Sequence, residues 1–289
     1  MDSVLVLIAA PGSHAIGVKT PDMLRDFGAG NPRWLAKGEA LEVADFAGRD
    51  AAAAELVALP IDINVVPALN RRKRLLIADM DSTMIEQECI DELGEMAGIG
   101  AHIKQITARA MRGELDFDGA LTERVKLLKG LDAAIIDTIL RERISFMPGG
   151  RTLVATMKAN GAHTALVSGG FTPFTSRVAE ALGFDENQAN NLIVADGRLT
   201  GEVGYPILGQ QAKLDALRRI SAKLGIATAD ALAVGDGAND LAMLGEAGMG
   251  VALHAKPQVQ AEARFRVNHG DLTALLYLQG YEKAEFVST

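Results

Sequence analysis

A chain of 289 residues, 48% hydrophobic and 23% charged, has room for a sizeable core and two domains and lacks the composition of a disordered protein. Thirty-seven acids against 29 lysines and arginines give a formal charge of -8, which argues against nucleic acid as a main partner. The single cysteine, Cys89, excludes an intramolecular disulfide and fits a reducing compartment, and the five histidines have no ligand spacing that suggests zinc.

In chain order, the run Val4 to Ala10 has no preceding positive charge and is too short to cross a bilayer, so the expectation is a cytoplasmic protein without a membrane partner. Up to about Pro67 the pattern gives a strand, a helical stretch at Pro21 to Phe27, short extended pieces near Trp34 and Leu41 to Val43, an alanine-rich helix from Arg49 and a strand at Ile61 to Val66. This βαββαβ order predicts a small N-terminal α+β module over residues 1–70. The basic run Arg71-Arg72-Lys73-Arg74 then reads as a solvated entry to the next strand.

That strand, Leu75 to Ala78, is apolar throughout, as a strand buried on both faces should be, and it stops on Asp79 and Asp81. Residues i and i+2 share a face of a strand, so both acids can reach one point before Ser82 or Thr83 caps a following helix. Two carboxylates about 4 Å apart repel by about 4 kcal/mol at an effective dielectric of about 20, so a cation, a shared proton or water must hold them. A hard divalent ion is the simplest of these. By itself so short a motif reads more readily as two solvated turn acids.

Residues 85–145 carry no strand pattern. Phe117, Leu121, Val125 and Leu128 make one apolar helical stripe, and Ile135, Ile139 and Leu140 continue the theme, so a helical insert is predicted at about 86–145. Alternation then resumes: helix from Arg151, strand Ala165 to Val167 ending in Ser168-Gly169-Gly170, helix to Leu182, and a hairpin around Asp196-Gly197. Helix Gln210 to Leu224, strand Ala231 to Val234, helix Asp240 to Ala247, strand Val251 to Leu253 and a closing helix near Leu272 complete the chain. The fold class is therefore α/β, a doubly wound parallel sheet over residues 71–289, with ligands expected outside the carboxyl ends of the strands.

Those ends hold the polar residues. Ser168-Gly169-Gly170 offers a hydroxyl and backbone amides at a helix start, read either as an anion site or as a plain cap. Lys213 lies on the apolar stripe of Leu217, Ile220 and Leu224, so its ammonium either snorkels or meets a buried anion. Gly235-Asp236-Gly237-Ala238-Asn239-Asp240 follows a strand and supplies two further acids. Together these suit a phosphoryl group attacked by an aspartate carboxylate.

DMDST at Asp79, SGG at Ser168, Lys213 and GDGAND at Gly235 resemble the four ordered motifs of the haloacid dehalogenase-like phosphohydrolases. With ECIDELGE at Glu88, MRGELDFDGAL at Met111 and ERVKLLKGL at Glu123, the chain is similar within that family to the phosphoserine phosphatases. The resemblance implies Mg2+-dependent hydrolysis of O-phosphoserine, the last step of serine biosynthesis, with Asp79 as nucleophile and Asp81 as acid and then base. It implies magnesium on Asp79, Asp236 and the main-chain carbonyl of Asp81. Ser168, Gly169, Lys213 and Asn239 would hold the phosphoryl group or water, and Asp240 would support Lys213. Glu88 would take the substrate ammonium, Arg124 its carboxylate, and Phe117 would wall the pocket beneath a helical cap. The N-terminal module is similar in element order to ACT-type domains, which implies a regulatory or homodimerising role. Two other activities stay open: a phosphotransferase that passes the phosphoryl group to another alcohol, and a receiver-like signalling domain.

Overall fold

A computed structural model describes residues 3–112 and 114–288, so Gly113 of the MRGELDFDGAL stretch lies outside the described residues. The N-terminal elements are β1 (Ser3–Ala9), α1 (Thr20–Asp26), β2 (Arg33–Ala36), β3 (Ala40–Ala44), α2 (Arg49–Leu56) and β4 (Ile61–Pro67). They form an antiparallel sheet of order β2-β3-β1-β4. Leu5, Leu7 and Ala9 alternate along β1 onto a core shared with Leu24, Leu41, Val43 and Leu56, so one face of this sheet is covered by its two helices.

The expected solvated entry at Arg71–Arg74 is instead mostly structural. Arg71 pairs with Glu42 at 2.8 Å and donates to the carbonyls of Tyr277 and Leu278. Arg72 lies 4.0 Å above the Tyr281 ring and reaches Glu285, and buried Lys73 donates to the Ala229 carbonyl. The physical reason is that an arginine fork and stem can serve carbonyls, a carboxylate and a ring face at once, so a basic run can tie three segments together.

The second sheet starts with β5 (Leu75–Ala78). Between it and the next strand come α3 (Cys89–Met96), α4 (Gly100–Met111), α5 (Phe117–Leu127), α6 (Ile135–Glu142) and α7 (Gly150–Ala159). Then follow β6 (His163–Phe171), α8 (Thr172–Leu182), β7 (Glu186–Asn190), the hairpin β8 (Leu192–Ala195) with β9 (Arg198–Val203), α9 (Gln210–Leu224), β10 (Ala231–Gly235) and α10 (Leu241–Glu246). The chain closes with β11 (Met249–Leu253), α11 (Pro257–Glu262), β12 (Phe265–Val267) and α12 (Ala274–Leu278). The sheet order is β12-β11-β10-β5-β6-β7, parallel throughout, with β5 and β10 adjacent at its centre. Every residue of β5, β10 and β11 is buried, which their unbroken apolar character demands.

Helices α3 to α6 stand between β5 and β6 as a helical insert whose two ends are joined at the base. Ile85 and Phe146 form an antiparallel bridge, flanked by Glu86 N–H to the Ser145 carbonyl and Met147 N–H to the Met84 carbonyl. The two sheets meet where Asn64 of β4 exchanges two hydrogen bonds with the backbone of Arg266 in β12. Beside it, buried Asp62 accepts from the backbone amides of Asn268, His269 and Gly270. Asp62→Ala would leave three donors without their acceptor inside the interface, and we expect a loss of about 2–3 kcal/mol in urea denaturation. Asp62→Asn keeps one acceptor oxygen and should lose less; equal stability of all three proteins would contradict this role.

Candidate active site

The central strands end at one point. β5 delivers Asp79, whose N–H continues the sheet by donating to the Val234 carbonyl at 3.0 Å, while β10 delivers Asp236. Asp240 closes the short turn after β10, its Oδ2 accepting the Gly237 amide at 3.0 Å. The carboxylates of Asp79, Asp236 and Asp240, all buried, have oxygens within 4.8 Å of one another. The fourth acidic block thus reaches the opening aspartates across more than 150 residues of sequence.

Lys213 enters this cluster from the first turn of α9, fully enclosed, with Nζ 2.8 Å from Asp79 Oδ1 and 2.6 Å from Asp240 Oδ1. Of the two readings of its place on an apolar stripe, the buried anion is the correct one. Burial works against the ammonium, but Asp240 and then Asp79 outweigh it and hold Lys213 above the ordinary lysine range. Burial, followed by the charge of Asp240, pushes the Asp79 carboxyl well up, with Lys213 opposing. Burial likewise raises Asp236, opposed first by Lys256, whose Nζ is 3.6 Å away.

One enclosed ammonium faces three carboxylates, so the cluster keeps an excess of negative charge in a poorly solvated place. An all-oxygen, carboxylate-rich donor set of this kind suits a hard divalent cation. The residues therefore fit a metal ion.

Asp81 lies beside this cluster rather than within it. Its Oδ1 accepts the Cys89 amide at 2.8 Å and its Oδ2 the Ser168 hydroxyl at 3.2 Å, while burial raises its pKa against those bonds. Ser168 Oγ also accepts the Gly170 amide at 2.8 Å. A Cβ on Gly170 would sit 2.7 Å from Asp81 Oδ2, so this close approach needs glycine.

Two local expectations fail here. Ser82 and Thr83 cap no helix: Ser82 takes a left-handed φ of 54° and donates to Glu88 at 2.9 Å, and Thr83 donates to Asp236. Ten residues, 79–88, separate β5 from α3, and these hydroxyls serve site carboxylates instead of a helix end. The Ser168-Gly169-Gly170 segment opens no helix either. It is still part of β6, and α8 begins at Thr172.

A cleft of about 520 Å³ opens over the cluster. Asp79, Asp81, Ser168, Gly169, Asp236 and Asn239 line its floor, and Glu88, Phe117 and Arg124 line the side made by the insert. Lys213 and Asp240 are among the most enclosed residues and act on the floor through Asp79 and Gly237. Burial, then the charge of Asp81, pushes Glu88 up to about 7. Burial lowers Arg124 against the pull of Asp91, Glu88 and Asp81. A carboxyl and a guanidinium thus share one half-covered wall. The sequence reading missed Lys256, which follows β11 and also lines the cleft, and Asn190, which donates to the Gly169 carbonyl.

The raised carboxyls fix a pH dependence. An acid raised on folding adds stability below its ordinary pKa and loses it as the pH climbs through the raised value, which for Glu88 is about 7. Metal-free protein should become easier to unfold between pH about 5 and 7, as followed by urea denaturation in chelator. Glu88→Gln should flatten that slope, and an unchanged slope would remove Glu88 from the cause.

Comparison with known proteins accords with this geometry. The haloacid dehalogenase-like hydrolase family model matches residues 76–245. A phosphoserine phosphatase of Streptomyces coelicolor is 46% identical over 239 residues, covering 82% of this chain and 58% of its own. A HAD-family hydrolase of Salmonella enterica serovar Typhi superposes with a TM-score of 0.84 at 30% identity, covering 97% of this chain and 99% of its own. A structure described as a phospho-aspartyl intermediate analogue of phosphoserine phosphatase superposes at 0.67, with 39% identity, over 71% of this chain and 98% of its own. The chain spans 58 and 65% of the length of the Streptomyces coelicolor and Haemophilus influenzae relatives it matches. By these matches and by its strand-end acids, the chain belongs to the haloacid dehalogenase-like hydrolases.

Proposed function

We propose that this protein is a phosphoserine phosphatase, hydrolysing O-phosphoserine to serine and phosphate through an aspartyl phosphate. The observation that carries the reading is the cleft itself: an aspartate paired with a buried lysine on its floor, and an acid and an arginine on its wall. A phosphoryl group suits the first set. An ammonium and a carboxylate on one small substrate suit the second. The relatives named phosphoserine phosphatase support the same substrate.

In this reading Asp79 attacks phosphorus and the bond from phosphorus to the serine oxygen breaks. Asp81 gives its proton to that oxygen, a role that its raised pKa supports. Asp81 then takes a proton from water as the water oxygen attacks phosphorus, and Asp79 is released with free phosphate. Ser168 and the Gly169 amide hold phosphoryl oxygens, Asn239 contacts phosphate or water, and Lys213 neutralises the charge that grows on Asp79 and the phosphoryl group. Mg2+ is the cation we assign: the Asp79 and Asp236 carboxylates and the Asp81 carbonyl would hold it, and it would supply positive charge to the phosphoryl oxygens. The insert is a cap at about 86–145 that would exclude water during the first transfer and admit it for the second.

Phosphate release from a panel of small phosphoesters tests the assignment. O-phosphoserine should lead with Mg2+ and fail in chelator, and Asp79→Asn should abolish turnover. Arg124→Ala should raise KM for phosphoserine about 10- to 100-fold, while sparing esters without a carboxylate. Equal wild-type activity on esters without amino or carboxyl groups would defeat the roles of Glu88 and Arg124.

We also read residues 1–70 as an ACT-like module that pairs two chains in the cytoplasm, beside the catalytic residues 71–289. Its βαββαβ order and the sheet edge at β2 support this. Sedimentation of the full chain should give twice the 30.5 kDa mass, and a monomer at micromolar concentration would count against it.

A further inference from the structure

Asn190 takes no part in the chemistry above, yet its side chain is almost fully enclosed and fully partnered. Its Nδ2 donates to the Gly169 carbonyl at 2.8 Å and to the Leu208 carbonyl at 3.2 Å, and its Oδ1 accepts the Leu208 amide at 2.7 Å. One amide therefore clasps two segments nearly forty residues apart, the end of β6 and the loop that leads into α9. Both face the cleft, the first through Ser168 and Gly169 and the second through Gln210.

Between the clasped segments lies Phe117, the first residue of α5 in the insert. A Cβ on Gly169 would meet Phe117 Cζ at 3.0 Å, and one on Gly209 would meet Phe117 Cδ1 at 3.0 Å. The ring thus spans both glycines, and a Cβ on either would press on it. Only a fixed separation of the two backbones gives a notch of this width. An amide that serves both segments sets that separation, because shifting either would strand a buried donor or acceptor.

We infer that Asn190 is a positioning residue, holding Gly169 and Gly209 as a two-glycine notch that seats Phe117 and so registers the insert over the cleft. It acts through these glycines and touches neither the acids nor the substrate. The inference rests on the cleft being a phosphomonoester site but not on phosphoserine being the ester.

Three single variants and their Phe117→Ala combinations test it. Asn190→Asp keeps the acceptor for Leu208 but loses both donors, Asn190→Ala loses everything, and Gly209→Ala blocks the notch without touching Asn190. Gly209 has a negative φ of -103° and makes no hydrogen bond to Asn190, so the last variant leaves the buried amide network untouched. Each should lower kcat/KM about tenfold or more by loosening a remote positioning element. In the Phe117→Ala background most of each effect should vanish. Amide hydrogen exchange, read by mass spectrometry, should rise at residues 115–121 in the single variants as well as at 168–171 and 207–210. Independent effects that multiply with Phe117→Ala, or unchanged exchange at 115–121, would overturn the inference. Running p-nitrophenyl phosphate beside phosphoserine keeps the two questions apart. Wild-type turnover of that ester alone defeats only the substrate assignment, and the exchange measurement needs no turnover.

Discussion

The site depends on one ammonium held out of water. Lys213 sits between Asp79 and Asp240 at 2.8 and 2.6 Å, at a depth where an isolated charge of either sign would be very costly. Each member of this triad is tolerable only because the others are present. The lysine answers two carboxylates, and the parallel sheet holds those two close enough to share it. The third carboxylate, Asp236, makes no direct ion pair with this lysine among the described residues and is answered by exposed Lys256 at 3.6 Å and the Thr83 hydroxyl. Charge balance therefore stops one cation short on one side of Asp79, the side that faces the cleft. The same carboxylate is at once restrained by a fixed cation behind and open to cationic and anionic ligands in front, which is the arrangement an attacking aspartate requires.

The insert is joined to that floor by more than its covalent ends. Asp81 accepts the amide that begins α3, and Ser82 donates to Glu88, the residue just before the same helix. The loop carrying the proposed acid and the wall carrying the proposed ammonium receptor are thus one hydrogen-bonded unit. A bridge between Ile85 and Phe146 closes the base of the insert. Helix α3 is fixed to the floor, whereas α5, with Arg124 and Phe117, reaches the cleft from the far side of the insert.

Much of this was legible in the sequence. Unbroken apolar runs ending in acids mark strands buried on both faces, and β5, β10 and α9 lie within a residue of where their patterns placed them. Lys213 was readable because a charge on an apolar stripe admits few explanations. The strand β7 was not readable, since Glu186-Asn187-Gln188-Ala189-Asn190 is polar and has no strand-like composition. It forms only because β6 offers it an edge. For the same reason Asn190 escaped notice: an asparagine in a polar edge strand looks solvated until the folded chain buries it. The basic run at Arg71 misled in the same way, because charge density in a sequence does not reveal which carbonyls and rings will surround it.

What remained hidden is of one physical kind. Periodicity reports how a segment divides its surface between core and water, which local chemistry decides. Whether a polar side chain ends in solvent or in a clasp depends on the partner segments, and those are set by topology. Ser168 and Asp81 were legible as polar strand ends, but the bond between them was not, nor the use of Ser82 and Thr83 on site carboxylates instead of a helix cap. Hydroxyls and amides of this sort are spent on whichever partner the fold brings within 3 Å. In a parallel sheet with a long insert, the partners nearest the strand ends are the proposed catalytic groups, so departures from local capping rules collect around the site.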